Sequence, residues 1–215
     1  MPEFRFFVEG IEPVPRALTP TLRMGLRVVN GTPEAVEAIW LRCEVQIEPA
    51  LRGYGAAEAS GLQGLFGSPE RWSDTLRPFL WQQVTAMVPG FTGTTVCEVL
   101  LACSQDAALA GTQYCESLTG GHVPIRLLFS GVALLRGAEG VQAAPIPWEI
   151  EARYRMPVAA WRGALAAVWP ERRWLGLAPE MFARLMAYRA AGGHPSWDRT
   201  IEALLTPEAA RIEAA

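Results

Sequence analysis

The sequence predicts a mainly β protein: an antiparallel immunoglobulin-like β-sandwich, or a strongly twisted sheet, of about seven strands with a C-terminal helical cap. Three observations predict this class. Apolar and polar residues alternate with the period of a β-strand in several segments of the first 150 residues. After Met156 the apolar period becomes that of an amphipathic helix. Half of the 215 residues are hydrophobic, which is enough for a full core.

The two clearest strands lie near the start of the chain. Apolar residues alternate with polar ones from Leu22 to Val28 and again from Ile39 to Glu48. The connection Asn30–Pro33 is rich in turn residues, so we expect these strands to form an antiparallel pair. Arginines of one strand would then face glutamates of the other: Arg23 and Arg27 against Glu44 or Glu48. The opening segment Phe4–Val8 predicts a further strand.

Later segments predict the remaining strands. Alternation resumes from Leu80 to Val88 and from Thr94 to Cys103. Residues Ile125–Leu135 are apolar on both faces, which predicts a central strand covered on both sides. An edge strand is expected at Val141–Ile146. Residues Ala107–Leu118 fit either a helical or a strand period, and we favour a strand.

Residues Gly53–Asp74 interrupt the strand pattern. They contain five glycines and show little periodicity, which predicts a long loop with a short helix near Leu62–Phe66. The spacing Gly61-x-x-Gly64-x-x-Gly67 follows no hydrophobic strand, so it does not fit a dinucleotide-binding turn.

Proline, glycine and serine mark the ends of three C-terminal helices. Pro157 and Pro179 suit first helical positions, Gly192 ends the second helix, and Ser196 is a candidate N-cap for the third. We therefore divide the chain into a β-sandwich domain over residues 1–150 with a loop insertion at 53–74, a helical cap packed on it over residues 151–206, and an alanine-rich tail over residues 207–215.

Composition and charge exclude several function classes. All 19 basic residues are arginine, so chemistry that needs a lysine amine, such as that of a P-loop or a pyridoxal Schiff base, is excluded. A net charge of −3 without a basic stripe argues against nucleic-acid binding. No apolar run reaches the ~18 residues of a membrane span, and Met1–Gly10 is charged where a signal peptide needs an apolar stretch. We expect a cytoplasmic protein.

The sequence offers few groups for catalysis. Its two histidines, His122 and His194, lie in glycine-rich turns, and no serine or cysteine stands in a nucleophile elbow. We therefore predict no catalytic residue and no enzyme. A small enzyme that uses Cys115 together with His122 stays open as an alternative.

The four cysteines predict core positions and no metal site, because none of them belongs to a C-x-x-C pair. Cys97 and Cys103 are six residues apart on one predicted strand, and a distance of about 20 Å is too long for a disulfide. We predict buried, reduced thiols, and neither a metal nor a cofactor.

Aromatic residues give the positive signal, since the chain contains eight tryptophans. Trp40 and Trp81 fall on strand faces that we assign outward, and Trp72 lies in the long loop near Phe66. Because protein interfaces are enriched in aromatic anchors, these four side chains form the candidate protein interface.

Four segments carry a family resemblance: WQQVTAMVPGFTG from Trp81, LLFSGVALLRG from Leu127, PWEIEARYRMPVAAWR from Pro147 and PSWDRTIEALL from Pro195. With them the chain resembles an uncharacterised bacterial family encoded beside oxygen-tolerant uptake NiFe hydrogenases. The resemblance implies a role in assembling or accompanying the hydrogenase, with hydrogenase subunits or maturation factors as partners. The chain lacks the paired C-x-x-C motifs of a catalytic large subunit, so such a role would depend on binding protein.

Three hypotheses about function follow. The first is a non-enzymatic accessory or interaction protein that assists assembly or maturation of, or associates with, a NiFe hydrogenase complex. The second is a general peptide-binding, holdase-like module. The third is a small Cys/His-dependent enzyme. The low share of charged residues, 19%, is also compatible with a homo-oligomer.

Overall fold

The computed structural model describes residues 3–104, 109–137, 140–171 and 175–212. In this part of the chain eight strands form two antiparallel sheets, followed by C-terminal helices, which confirms the predicted fold class. The strands are β1 (Phe4–Pro13), β2 (Thr21–Asn30), β3 (Ala35–Ile47), β4 (Phe79–Phe91), β5 (Thr94–Ala102), β6 (His122–Gly137), β7 (Gly140–Ile146) and β8 (Glu151–Pro157).

The strands are divided between a three-stranded and a five-stranded sheet. Sheet A has the order β1-β2-β5, and sheet B has the order β4-β3-β6 with two strands on the other edge of β6. Strand β7 pairs with Gly131–Gly137, whereas β8 pairs with His122–Leu128. The 16-residue strand β6 therefore pairs with β3 on one side and with β8 and then β7 on the other.

The hydrophobic core lies between the two sheets. The rings of Phe6 in β1 and Phe129 in β6 stack across it with centroids 4.3 Å apart. The inward residues of β2 and β3 alternate as the sequence predicts and are almost completely buried: Leu22, Met24, Leu26, Val28, Ile39, Leu41, Cys43, Val45 and Ile47. Each such side chain contributes about 1.5–3 kcal/mol by leaving water, so this layer dominates the stability of the fold.

Strands β2 and β3 do not pair with each other, contrary to the sequence prediction. The connection after Asn30 passes from sheet A to sheet B, and β2 pairs with β1 and β5 instead. As a result Arg27 forms an ion pair with Glu9 of β1, and Arg23 lies within 3.5 Å of Glu98 of β5. Alternation identified both strands correctly but carried no information about which sheet each strand joins.

The outward face of β6 is exposed in its second half, so the prediction of a strand covered on both sides was wrong. The inward face, which includes Ile125, Leu127 and Phe129, is buried. On the outward face Val132 and Leu134 are 42% and 40% exposed. Among the described residues of the sandwich, no helix or strand covers these two apolar side chains.

The segment Gly53–Asp74, predicted as a long loop with a short helix near Leu62–Phe66, contains more helix than expected. Helix α1 (Ala56–Phe66) and the short helix α2 (Trp72–Thr75) lie between β3 and β4. The segment Ala107–Leu118, for which we favoured a strand, contains helix α3 (Ala110–Ser117), while its first two residues lie outside the described part. The burial of Gly111, Cys115 and Leu118 shows the i, i+4, i+7 spacing of a helix face.

The three C-terminal helices begin where the sequence places them. Helix α4 (Val158–Val168) follows Pro157, α5 (Pro179–Ala191) begins at its proline, and α6 (Trp197–Ile212) follows Ser196, whose Oγ accepts a hydrogen bond from the N–H of Arg199 at 3.2 Å. Residues Glu151–Pro157, at the start of the expected helical region, form strand β8.

The chain forms two compact units, Met1–Trp174 and Leu175–Ala215. The first contains both sheets and α4, whose Trp161 is fully buried. In the second, α5 and α6 form a helical hairpin in which the rings of Phe182 and Trp197 lie 6.0 Å apart. Among the described residues, none of the helices is both long and apolar enough to span a membrane.

Candidate protein-interaction surface

The structure separates the four aromatic residues of the predicted interface. Trp40 is 64% exposed, whereas Phe66 is only 8% exposed, and Trp72 and Trp81 are partly buried against the core. Phe66 is therefore a core residue, because α1 places it against the rings of Phe79 and Tyr114, at centroid distances of 6.1 and 6.3 Å.

Trp72 belongs to the same aromatic cluster. Its ring meets that of Tyr54 edge-on at 5.3 Å, and its indole N–H donates to the carbonyl of Gly67 at 3.0 Å. The Tyr54 hydroxyl in turn lies 2.8 Å from that of Tyr114. These contacts satisfy the polar atom of Trp72 inside the molecule, where its ring packs against the core.

Trp81 packs inward, contrary to the sequence assignment. The pairing register between β3 and β4 shifts between Val45 and Gln46, which leaves Trp81 as an extra residue in β4. The alternation is inverted at this bulge, so that Leu80 is 50% exposed while the Trp81 ring lies 5.9 Å from that of buried Trp161. Helix α3 also covers Trp81, because an added Cβ at Gly111 would lie 2.5 Å from its Cδ1.

Trp40 is the centre of an apolar row on the outer face of sheet B. It lies in the middle strand β3, opposite Met87 of β4 on one side and Val132 of β6 on the other. Met87 is 58% exposed. Trp40 and Met87, with Thr85 and Ala86, line a shallow cavity of about 210 Å³.

A second apolar row lies beside the first. Ala38 is opposite Pro89 of β4 and Leu134 of β6, two residues along the strand from Trp40. The two rows lie about 7 Å apart along the strands. Each row crosses three strands, a width of about 10 Å. We call this surface the Trp40 face, which consists of Ala38, Trp40, Met87, Pro89, Val132 and Leu134.

The other half of the same sheet face is polar. Glu48, which is buried, receives a hydrogen bond from Nε of Arg153 at 3.0 Å and lies 3.8 Å from Nε of Arg126. Arg153 also donates to Glu151 at 2.6 Å, and Arg126 donates to Gln46 at 2.7 Å. The outer face of sheet B is thus amphipathic, with the Trp40 face at one end and an arginine–glutamate network at the other.

His122 lies at the end of this network, at the start of β6. Its Nε2 accepts a hydrogen bond of 2.7 Å from Nε of Arg155. Partial burial and the charges of Arg155 and Arg52 lower the pKa of His122, so the ring is held neutral. Cys115, its partner in the enzyme hypothesis, is fully buried in α3, where burial strongly raises the pKa of the thiol. These environments disfavour a thiolate–imidazolium pair.

The remaining cysteines occupy the core positions that the sequence predicts. Cys43, Cys97 and Cys103 are buried and unpaired. Burial raises the pKa of Cys43 and of Cys103 to about 12, so both are protonated at neutral pH. Across the described ranges, no three His, Cys, Asp or Glu side chains are grouped in a way that could hold a metal ion.

A buried ion pair fixes α1 to the start of β6. The side chains of Arg52 and Glu58 are 9% and 6% exposed, and Nη2 of Arg52 lies 2.9 Å from a Glu58 oxygen. Nη1 of Arg52 donates to the carbonyl of His122 at 2.8 Å. Glu58 accepts from the backbone N–H of Thr119 at 2.8 Å and from its hydroxyl at 3.0 Å. The pair therefore connects segments about 60 residues apart in sequence.

We predict a pH dependence from Glu58. Burial alone would raise its pKa, but the hydrogen bonds from Thr119 and the charge of Arg52 outweigh burial and lower the pKa below its ordinary value of 4.5. Glu58 therefore binds a proton more readily in the unfolded chain than in the folded one. The stabilisation of the fold by ionised Glu58 is complete above about pH 4.5 and is lost as the pH falls through the folded-state pKa.

Urea unfolding between pH 7 and pH 3 measures this effect. The Glu58→Gln variant is expected to be less stable than the wild type at pH 7, and the difference should shrink below about pH 4.5. The exposed Glu202→Gln variant is the control. A difference between wild type and Glu58→Gln that stays constant over this range would contradict the assignment.

Fold and surface together define a two-sheet antiparallel β protein with one amphipathic outer sheet face. The chain belongs to the family of unknown function DUF6084, whose model matches residues 1–213. A search of curated proteins finds no significant match.

Likenesses to solved structures are remote. A late embryogenesis abundant protein has a TM-score of 0.35 and 11% identity over 73% of this chain and 71% of that chain. A β-glucosidase from Kluyveromyces marxianus has a TM-score of 0.28 and 7% identity over 72% of this chain and 15% of the enzyme. β-Glucosidase 3B from Thermotoga neapolitana has a TM-score of 0.23 and 10% identity over 72% and 17%. At these values none of them informs on function.

Proposed function

We propose that the chain is a non-enzymatic accessory protein that binds another protein through the Trp40 face. One observation carries this proposal: the outer side of three neighbouring strands, β4, β3 and β6, exposes Met87, Trp40 and Val132 in a contiguous apolar row. Contiguous apolar surface around an exposed tryptophan is typical of protein interfaces, where such anchors dominate the binding energy.

The partner that we propose to test first is a NiFe hydrogenase subunit or maturation factor. The support is the resemblance to a family encoded beside oxygen-tolerant uptake hydrogenases. Two of the segments on which this resemblance is based also contribute residues to the Trp40 face. WQQVTAMVPGFTG contains Met87 and Pro89, and LLFSGVALLRG contains Val132 and Leu134.

The environments of Cys115 and His122 favour a binding role over catalysis by these two residues. The thiol is buried and protonated, and the imidazole accepts a hydrogen bond from Arg155.

The dedicated accessory protein and the holdase predict different client specificities. A holdase would suppress aggregation of unrelated unfolded proteins, whereas a dedicated accessory protein would not.

Trp40→Ala is the variant that tests the proposed surface. We expect it to weaken partner binding by at least about tenfold, because truncation removes the central anchor of the face. Tagged wild-type and variant chains would be compared by affinity purification from the native host with quantitative mass spectrometry. Binding would then be measured with the purified partner by calorimetry.

Leu100→Ala is the matched control. Leu100 is 58% exposed on β5, in the other sheet, so its truncation should leave partner binding unchanged. Equal recovery of the partner by Trp40→Ala and wild type would reject the Trp40 face. Suppression of the aggregation of unrelated clients by the wild type, lost in Trp40→Ala, would favour the holdase.

A further inference from the structure

We propose that the segment covering the Trp40 face is acidic, and that one of its carboxylates pairs with Arg42. This inference rests on the proposed function, because it names the chemistry of the partner at the same surface. It starts from the position of Arg42, which is exposed in β3 and lies two residues along the strand from Trp40.

Arg42 lies next to the apolar rows on the same sheet face. Its register neighbours are Thr85 of β4 and Ser130 of β6, two short hydroxyl side chains. Neither neighbour supplies a negative charge. Within the described parts of the chain Arg42 has no ion pair and no hydrogen bond, so its guanidinium donors are free for a partner.

The acidic groups on this sheet face form no ion pair with Arg42 among the described residues. Glu44 receives hydrogen bonds from the amides of Gln46 and Gln83. Glu48 and Glu151 are shared by Arg126 and Arg153.

Arg136, at the other side of the Trp40 face, is paired with Glu37. Arg155 also has no carboxylate partner among the residues that the structure describes, but it donates to His122. Within the described residues Arg42 is therefore a cation without an ion pair at the border of the apolar surface, with Glu44 two residues along β3 on the side away from Trp40.

Covering the Trp40 face changes the energetics of this cation. A partner that packs on Trp40 removes water from Arg42, about 7 Å away along the strand. Removing water from an unpaired charge is costly, whereas an incoming carboxylate restores the lost interactions through charge-assisted hydrogen bonds. A neutral partner segment would bear the desolvation cost, and a basic one would also be repelled. The surface therefore selects an apolar segment with Asp or Glu close to its anchoring side chains.

Three synthetic amphipathic peptides serve as probes. They share one apolar face and differ only in flanking residues, which are glutamate, glutamine or lysine. Fluorescence anisotropy at low and high salt would measure binding to the wild type, Trp40→Ala, Arg42→Gln and Arg42→Glu. Arg5→Gln, which removes an exposed arginine from β1, is the control for general charge effects.

We expect the glutamate peptide to bind the wild type at least about tenfold more tightly than the glutamine peptide, with a preference that weakens at high salt. Arg42→Gln should remove the preference, Arg42→Glu should shift it toward the lysine peptide, and Arg5→Gln should keep it. Circular dichroism would show that all variants are folded.

The contrary outcomes separate the inference from the proposed function. If peptide binding requires Trp40 but the glutamate and glutamine peptides bind with equal affinity, the inference of an acidic segment is overturned. The Trp40 face then remains the proposed binding surface. Binding that Trp40→Ala leaves unchanged, or no binding of the glutamate peptide at millimolar concentration, overturns the inference, whereas the proposed function is overturned only if Trp40→Ala recovers the native partner as well as the wild type does. A wild-type dimer that Trp40→Ala converts to a monomer would assign the face to a second copy of this chain, which also overturns the inference.

Discussion

Replacement of Arg52 by alanine is expected to lower the free energy of unfolding by about 3–5 kcal/mol. The loss follows from the burial of its partner, because Glu58 would keep its charge in the interior without the cation that balances it. The carbonyl of His122 would also lose its donor at 2.8 Å. Urea unfolding at pH 7, followed by tryptophan fluorescence and circular dichroism, measures the change.

A double-mutant cycle tests whether the pair itself is responsible. The Arg52→Ala/Glu58→Ala variant should be more stable than the sum of the two single losses predicts, by a coupling energy of about 1–3 kcal/mol. The exposed pair Arg199–Glu202 is the control, since Arg199→Ala should cost less than about 1 kcal/mol. Equal small losses for Arg52→Ala and Arg199→Ala would contradict the structural role of the buried pair.

Gly131→Ala is expected to destabilise the protein by about 3–5 kcal/mol. Gly131 lies in the middle of β6 with φ of +144°, a backbone conformation that favours glycine. An added Cβ would lie 2.1 Å from the carbonyl oxygen of Trp40 in β3. Because this neighbour is backbone of a paired strand, the clash can be relieved only by moving the two central strands of sheet B apart.

Gly25→Ala in β2 is the matched comparison. Gly25 is also in a central strand, but its added Cβ would meet only the Cβ of Glu9 at 3.7 Å, an ordinary contact. We expect a change within about 1 kcal/mol, measured by thermal and urea unfolding of the two variants side by side. A Gly131→Ala variant as stable as Gly25→Ala would show that the backbone around residue 131 can relax.

Local signals in the sequence predicted single elements well. Period-two alternation located β2 and β3, and the positions of Pro157, Pro179 and Ser196 located the starts of three helices, because both signals depend on neighbouring residues. The partners of each strand depend on tertiary packing. Thus β2 and β3 were assigned to one sheet although the structure places them in two.

The candidate surface was predicted in part, and the errors have local causes. Trp40 follows the alternation of β3 and is exposed as predicted. Trp81 departs from alternation because of the bulge in β4, which no residue pattern marks. The short helix predicted near Leu62–Phe66 is present as the end of the longer helix α1, but the sequence did not show that this helix buries Phe66.

Val132 and Leu134 were visible in the sequence as the second apolar face of β6 but were interpreted as covered. An exposed apolar face and a buried one have the same sequence pattern.

The four buried thiols give this protein intrinsic reporters of conformational opening. Cys43 lies in the centre of sheet B, Cys97 in sheet A, Cys103 just after β5, and Cys115 in α3, so they sample different parts of the sandwich. A thiol-specific alkylating reagent reaches each one only when its surroundings open. Alkylation times read residue by residue would therefore reveal the order in which the sheets and α3 separate, without any added label.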